Sequence, residues 1–172
     1  MSPQNPTIQT RIFENLAVRP ANLQDVAKLV EFNCAIAQET ENKILVPEQV
    51  TSGIKTLIEN PHFGFYLVAE KNQTVIGCLM ITSEWSDWRN GLFWWIQSVY
   101  VKPNFRRQGV FKSLYQYVQS LAQENPQICG LRLYVEQENQ VAQKTYHSLG
   151  MEKTPYQILE SIKPEFQDAI PS

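Results

Sequence analysis

The ten residues "LFWWIQSVYV", Leu92 to Val101, constrain the fold more than any other stretch of the chain. They are apolar on both faces over much of their length, and a strand of that pattern has to be covered on both sides. A sheet with one wet face would show a clean alternation of polar and apolar residues instead. The run therefore predicts a buried central strand. It feeds a basic loop, "KPNFRRQG", and then "VFKSLYQYVQSLAQE", where Val110, Phe111, Leu114, Val118 and Leu121 recur at helical spacing.

The flanking segments supply elements that fit around such a strand. After a polar start that is expected to fray, "IFENLAVRP" reads as a first strand. Asn22 is placed to cap a helix, with Asp25 three residues on as a loose capping box, and Val26, Leu29, Val30 and Ile36 form its apolar face. "PEQVTSGIKTLIEN" predicts a second helix, weakened by Gly53 and ended before Pro61. "FGFYLVAE" and "QTVIGCLMIT" are β-rich runs joined through "KNQ" as a hairpin. Later come a strand in "GLRLYVE", a short helix from Asn139 to a C-cap at Gly150, and a closing strand in "MEKTPYQIL". No repeat or linker interrupts this order. It predicts one mixed α/β domain over residues 1–172, with a core of about 16–159 and flexible termini.

Composition narrows the function classes. A net charge of −2 argues against nucleic acid as the main partner, which usually meets a broad basic surface. Cys34, Cys78 and Cys129 are odd in number and without a CxxC, which reads as reduced, small buried thiols in a cytoplasmic protein. His62 and His147 are the only histidines, so no histidine metal site is expected. The first dozen residues have no long apolar run, and no stretch approaches the roughly 20 apolar residues of a membrane span.

The strand–loop–helix unit around Gly109 is the most informative. A helix N-terminus offers unpaired N–H groups and partial positive charge to a phosphate, Gly109 admits close backbone approach, and Arg106 and Arg107 add fixed charge. The loop lacks the GxxxxGKS/T of a P-loop and the GxGxxG of a Rossmann turn. A solvated basic turn capping a core helix is the other reading, and these features alone do not separate the two.

"VKPNFRRQGVF" resembles the acyl-CoA-binding motif of the GNAT N-acetyltransferase superfamily, in which Arg or Gln is followed by x-x-G-x-G or A. Arg106 and Gly109 match; Phe111 stands where the family usually has Gly or Ala. "VEQENQVAQKTYHSLGM" resembles the family's downstream segment at Asn139, Ala142, Tyr146 and Gly150, and "LAVRPANLQDVAKLV" its opening strand and helix. The resemblance covers roughly Leu16 to Leu159. It implies a GNAT-like fold: a mostly antiparallel twisted sheet of about six to seven strands, helices on both faces, and strands splayed around a CoA cleft.

The resemblance also implies an activity, direct transfer of the acetyl group of acetyl-CoA to a primary amine of a small molecule or peptide. Backbone groups of Val99, Tyr100 and Val101 would pair with the pantetheine arm, and N–H groups of Arg107, Gln108, Gly109, Val110, Phe111 and Lys112 would hold the diphosphate. Asn139 would contact the arm, although Asn is also a preferred N-cap and both roles can coexist. Tyr146 would protonate the leaving thiolate; as a bare sequence position it reads equally as a core aromatic. Many family members carry a Glu on the central strand, whereas Leu92 to Gln123 here holds no acidic residue. Gln97 can orient but not take a proton. Glu84 is the first candidate base and Asp87 the second, with Glu39 and Glu41, just after the first helix in what would be the family's lid region, able to reach the same pocket.

All four tryptophans, Trp85, Trp88, Trp94 and Trp95, precede or enter the central strand. If Asn90-Gly91 is a two-residue turn, Trp88 faces Phe93, Trp85 faces Ile96 and Glu84 faces Gln97. Glu84, Ser86, Trp88, Phe93, Trp95 and Gln97 then share one side, and Trp85, Asp87, Trp94 and Ile96 the other. The segment reads as an acceptor pocket of Trp85, Trp88, Trp95, Gln97 and Glu39, as a core end, or as the contact of a homodimer. A non-catalytic acyl-CoA-binding module is the competing function, and RNA binding through the loop is disfavoured by the acidity.

Overall fold

The computed structural model describes residues 8–167, so the ends of the frayed start and flexible tail expected at the termini lie outside the described residues. Six strands lie side by side in chain order: β1 (Arg11–Phe13), β2 (Leu16–Pro20), β3 (Gly64–Lys71), β4 (Thr74–Ser86), β5 (Gly91–Val101) and β6 (Ile128–Arg132). Neighbours are antiparallel except β5 and β6, which run parallel. The helices are α1 (Val26–Glu41), α2 (Pro47–Glu59), α3 (Val110–Glu124), α4 (Gln140–Ser148) and the short α5 (Pro164–Gln167).

Two cores sandwich the sheet, as the apolar central run requires. On one face Val110, Leu114, Val118 and Leu121 of α3 pack on Leu67, Ile81, Trp94 and Ile96. On the other, Val26, Leu29 and Phe32 of α1 and Ile54 and Leu57 of α2 cover Tyr66, Val68 and Cys78. Each fully buried Leu or Val contributes about 1.5–3 kcal/mol through removal from water.

Local chemistry sets the element ends. Asn22 accepts from the Gln24 N–H at 2.8 Å, and Asp25 accepts from the Asn22 N–H at 2.9 Å, so the capping box forms. It starts a single 3-10 turn that runs into α1. Asp25, 6% exposed, also takes a two-pronged bond from Arg19 at 2.8 and 2.9 Å, and Arg19 donates to Glu70 at 3.0 Å. This cluster ties β2 and β3 to the start of α1.

Several expectations are corrected. "IFENLAVRP" is a hairpin of β1 and β2, with Phe13 paired to Leu16 and a turn at Glu14, whose φ is 52°. "MEKTPYQIL" is irregular and exposed, so the sheet ends at β6. Pro155 lacks the N–H a ladder needs, and Tyr156, Ile158 and Leu159 are exposed among the described residues. The tryptophan hairpin has another register: Glu84 pairs with Phe93, Trp85 with Leu92 and Ser86 with Gly91, and Gln97 pairs with Met80. The connection is the longer loop 87–90. Gly91 belongs to β5, where a Cβ would lie 3.1 Å from both the Cys129 side chain and the Gln127 carbonyl. Close approach, not a two-residue turn, is what its missing side chain serves.

Candidate active site

β5 changes its neighbours halfway along. Its ladder with β6 runs from Leu92 to Trp95, whereas its ladder with β4 continues to Val101. Beyond Trp95 one edge of β5 has no strand partner among the described residues, and Val99, Tyr100 and Val101 lie on it. An edge of this kind can be completed by an extended ligand through main-chain hydrogen bonds. The ladder to β4 also slips between Cys78 and Met80, opposite Ser98 at φ 48°, which marks a β-bulge. The bulge exchanges faces. Trp94 and Ile96 point into the α3 core, but so do Val99 and Val101, while Tyr100 turns to the α1 side and packs its ring 4.8 Å from Phe32.

The open edge leads straight into the basic loop. Arg107 at φ 63° and Gly109 at φ 80° are both left-handed, and Gly109 is the N-cap of α3. Left-handed residues interspersed in a loop curl successive N–H groups into an anion-binding concavity. The ladder of α3 begins with the Ser113 N–H donating to Gly109 O at 2.9 Å, leaving the first-turn donors Val110, Phe111 and Lys112 without intrahelical acceptors. Arg106 is not a free cation: its Nε donates to Val101 O at 2.8 Å and its NH2 to Glu39 at 2.7 Å. Tyr100 joins them, its hydroxyl 3.5 Å from Glu39 and its ring 5.5 Å from the Arg106 guanidinium. Burial and the Glu39 charge raise the Tyr100 phenol pKa, against a smaller opposing effect of Arg106. Gln108 donates to Asn104 O at 2.8 Å within the loop, and Arg107 and Lys112 lie in the loop and in the first turn of α3.

Phe111, the departure from the usual motif, turns its ring to Tyr146 in an edge-on contact at 5.5 Å and to Tyr115 at 6.0 Å. It therefore packs between α3 and α4. Asn139 caps α4 by accepting from the Ala142 N–H at 3.1 Å. At the other end the Gly150 N–H donates to His147 O and the Met151 N–H to Tyr146 O, a Schellman motif with Gly150 at φ 87°. Both ends of this short helix are thus pinned, and with them Tyr146. Burial raises the Tyr146 phenol pKa, so the hydroxyl stays protonated at neutral pH.

The opposite face of β4 and β5 carries the acceptor-side candidates. The true register differs from the expected one by an even number of residues, so Glu84, Phe93, Trp95 and Gln97 still share a side. Gln97 donates to Thr82 at 2.6 Å. Glu84 accepts from the Trp95 indole with one oxygen and from Arg132 at 2.9 Å with the other. The tryptophans separate. Trp94 is 2% exposed in the α3 core, Trp95 is half-buried beside Glu84, and Trp85 and Trp88 are 59% and 86% exposed. Trp85 lies on the Trp94 side and Trp88 in the turn, so neither joins Trp95 in a pocket. Asp87 accepts from the Trp88 N–H at 2.9 Å, and Glu41 pairs with Lys43 at 2.5 Å.

Sequence reasoning missed Arg132 and Tyr134. Arg132 sits next to Trp95 across the parallel ladder, and the Tyr134 ring is 6.0 Å from the Trp95 ring. A polar residue inside "GLRLYVE" was the available signal, but only the ladder register says which partner it meets. The three cysteines divide: Cys78 is buried and its thiol is pushed up to about 12 by burial, Cys34 is half-buried, and Cys129 is exposed rather than buried. Among the described residues no group of three or more His, Cys, Asp or Glu could hold a metal ion, and no helix is long and apolar enough to cross a membrane.

Comparison with known proteins places this geometry. The sequence model of the Acetyltransferase (GNAT) family matches residues 29–151. No curated protein matches the chain. Among solved structures, a possible acetyltransferase from Clostridium difficile 630 is similar at a TM-score of 0.81 and 41% identity, covering 87% of this chain and 99% of that one. A predicted acetyltransferase from Clostridium acetobutylicum, crystallised with acetyl-CoA, aligns at a TM-score of 0.66 and 20% identity over 85% of this chain and 96% of its own. Glucosamine-6-phosphate N-acetyltransferase from Arabidopsis thaliana aligns at 0.67 and 18% identity over 87% and 100%. The last two likenesses speak to the fold.

Proposed function

The chain belongs to the GNAT acetyltransferase family, and from that premise we propose that it moves the acetyl group of acetyl-CoA directly to a primary amine of a small molecule or peptide. One observation carries the proposal: the β5 edge without a strand partner among the described residues runs into a left-handed loop and a helix N-terminus with no side-chain cap, with Tyr146 held beside that helix. The residues fit the cosubstrate. The β5 edge at Val99 to Val101 offers main-chain groups to an amide-bearing arm, and the N–H groups from Arg107 to Lys112 suit a diphosphate. Asn139 spends its oxygen on capping α4 and keeps its amide N–H groups for the arm. Acetyl-CoA supplies an activated thioester carbonyl.

On the acceptor side, the amine nitrogen bonds the acetyl carbon as the carbon–sulfur bond breaks. Tyr146 gives its phenolic proton to the departing sulfur, and the amine's surplus proton leaves to water, from which Tyr146 is reprotonated. Gln97, fixed by Thr82, orients the nitrogen or that water. Water takes the proton because the nearby carboxylates are engaged: Glu84 with Arg132 and Trp95, Glu39 with Arg106 and Tyr100. Glu84 and Glu39 are therefore positioning groups in this reading.

Two measurements test it. Coenzyme A at one hundred times its Kd should stabilise the fold by about 2.7 kcal/mol, raising Tm by roughly 5–10 °C. No shift at millimolar CoA would overturn the proposal; binding without turnover across a broad amine panel would point to a non-catalytic module. With no protein base, kcat/KM should rise with pH up to the ordinary pKa of the acceptor amine itself. Two acceptors of different basicity should give inflections that move with the acceptor. An inflection that stays fixed would assign the proton to a side chain.

A further inference from the structure

The acceptor face has a second recognition element at its end nearest the 87–90 turn. Arg132 lies over the Phe93 ring, its guanidinium carbon 3.7 Å from the ring centre, and Arg89 approaches the same ring at 5.2 Å. Two carboxylates accompany these two cations, Glu84 paired with Arg132 and Asp87 in the turn that carries Arg89, and among the described residues Arg89 has no ion-pair partner.

Donor and acceptor capacity decide which charge a ligand there should carry. Each Glu84 oxygen already accepts a hydrogen bond, one from Trp95 and one from Arg132. Each Glu84 oxygen can accept one more hydrogen bond, but Arg132 has five N–H donors and spends one nitrogen on Glu84, and Arg89 adds five more, so the unspent capacity at this end is mainly for donation. The Arg132 side chain is 31% exposed and can be reached. Stacking on Phe93 and pairing with Glu84 hold its planar fork in advance, which lowers the entropy lost on binding.

We propose that this cluster binds an oxyanion, carboxylate or phosphate, at the far end of the acceptor, so that the preferred substrates are amines bearing an anionic group. The inference rests on reading this face as the acceptor side. Phe93 and Gln97 lie about 13 Å apart along β5 at about 3.3 Å per residue, with Trp95 between them. The acceptor therefore needs a spacer of several bonds, which crosses Trp95 beside Tyr134. Glycine is too short; aminohexanoate, aminohexyl phosphate or a dipeptide has the reach.

Titration calorimetry of hexylamine, aminohexanoate, aminohexyl phosphate and glycine, on free and CoA-loaded protein, tests this. The two long anionic amines should bind about 10- to 100-fold more tightly than hexylamine, as charge-assisted bonds of this kind provide. Comparing the carboxylate and phosphate arms identifies the oxyanion. Arg132→Gln should bring the ratio close to one, and Arg132→Lys, which keeps the charge without the fork, should keep part of it. Should Arg132→Gln fail to fold, Arg132→Lys and Arg89→Gln must still lower the ratio. A ratio near one in the unaltered protein, or one unchanged in a folded Arg132→Gln variant, overturns the inference. Equal turnover of hexylamine and aminohexanoate would sink it while leaving acetyl transfer intact. Anion preference without CoA binding would do the reverse.

Discussion

Replacing Tyr146 by Phe is expected to lower kcat by about 100- to 1,000-fold, the usual worth of one positioned general acid. CoA affinity should change little, because the Phe ring keeps the edge-on contact with Phe111. That division separates the proposed role from a merely structural one. A Tyr146 that only packed would give a variant of nearly full kcat, or one in which Tm and CoA binding fell together. The sign of the pKa shift agrees with the role. Burial disfavours phenolate, so the proton is present throughout neutral pH and is lost only above the ordinary tyrosine range of about 10. The alkaline fall in kcat should therefore lie above that range in the unaltered protein and vanish in Tyr146→Phe. The readout is release of free CoA from acetyl-CoA with a saturating amine. A variant within threefold of the parent would remove Tyr146 from the chemistry.

What was legible in the sequence followed from local rules. "LFWWIQSVYV" announced a strand covered on both faces because apolar side chains at both parities can be hidden only by two layers. Asn139 and Gly150 announced the two ends of α4 because a cap and a left-handed C′ residue each have a specific chemical requirement. The family motifs located the loop. The tryptophan hairpin shows where such rules fail: Asn90-Gly91 looks like a turn, yet Gly91 is selected by its approach to Cys129 and Gln127, which no local pattern reveals. Side assignments within the ladder survived because the error was an even number of residues, whereas Asp87 and Trp88 left the ladder for the turn. The bulge at Ser98 gave no signal, since serine has no special preference for φ 48°. The pairings of Arg106 with Glu39 and Glu84 with Arg132 join residues far apart in the chain, and only the packed sheet and helices bring them together.

Removing the guanidinium that holds Asp25 should be the most destabilising single change among the charged residues. Arg19→Met should lower stability by about 3–5 kcal/mol at neutral pH, the usual cost of stranding one partner of a buried ion pair. For a chain of this length that corresponds to a fall in Tm of roughly 6–20 °C. The reason is that Asp25 is 6% exposed and would keep only the Asn22 N–H, while Glu70 would lose its partner as well. The pH dependence distinguishes this from a packing defect. In the unaltered protein, burial pushes the Asp25 pKa up, but Arg19 and the Asn22 amide outweigh it and hold it below the usual value. The pair's contribution is therefore present above the unfolded pKa of about 3.9 and lost as pH falls through the lower folded value. In Arg19→Met burial acts almost alone, the folded pKa rises above the unfolded one, and protonation relieves the penalty. The gap in stability between the two proteins should narrow as pH drops from 7 towards 4, measured by urea unfolding at each pH. A gap that stayed constant would mean that the lost term was packing of the Arg19 stem and not the charge on Asp25.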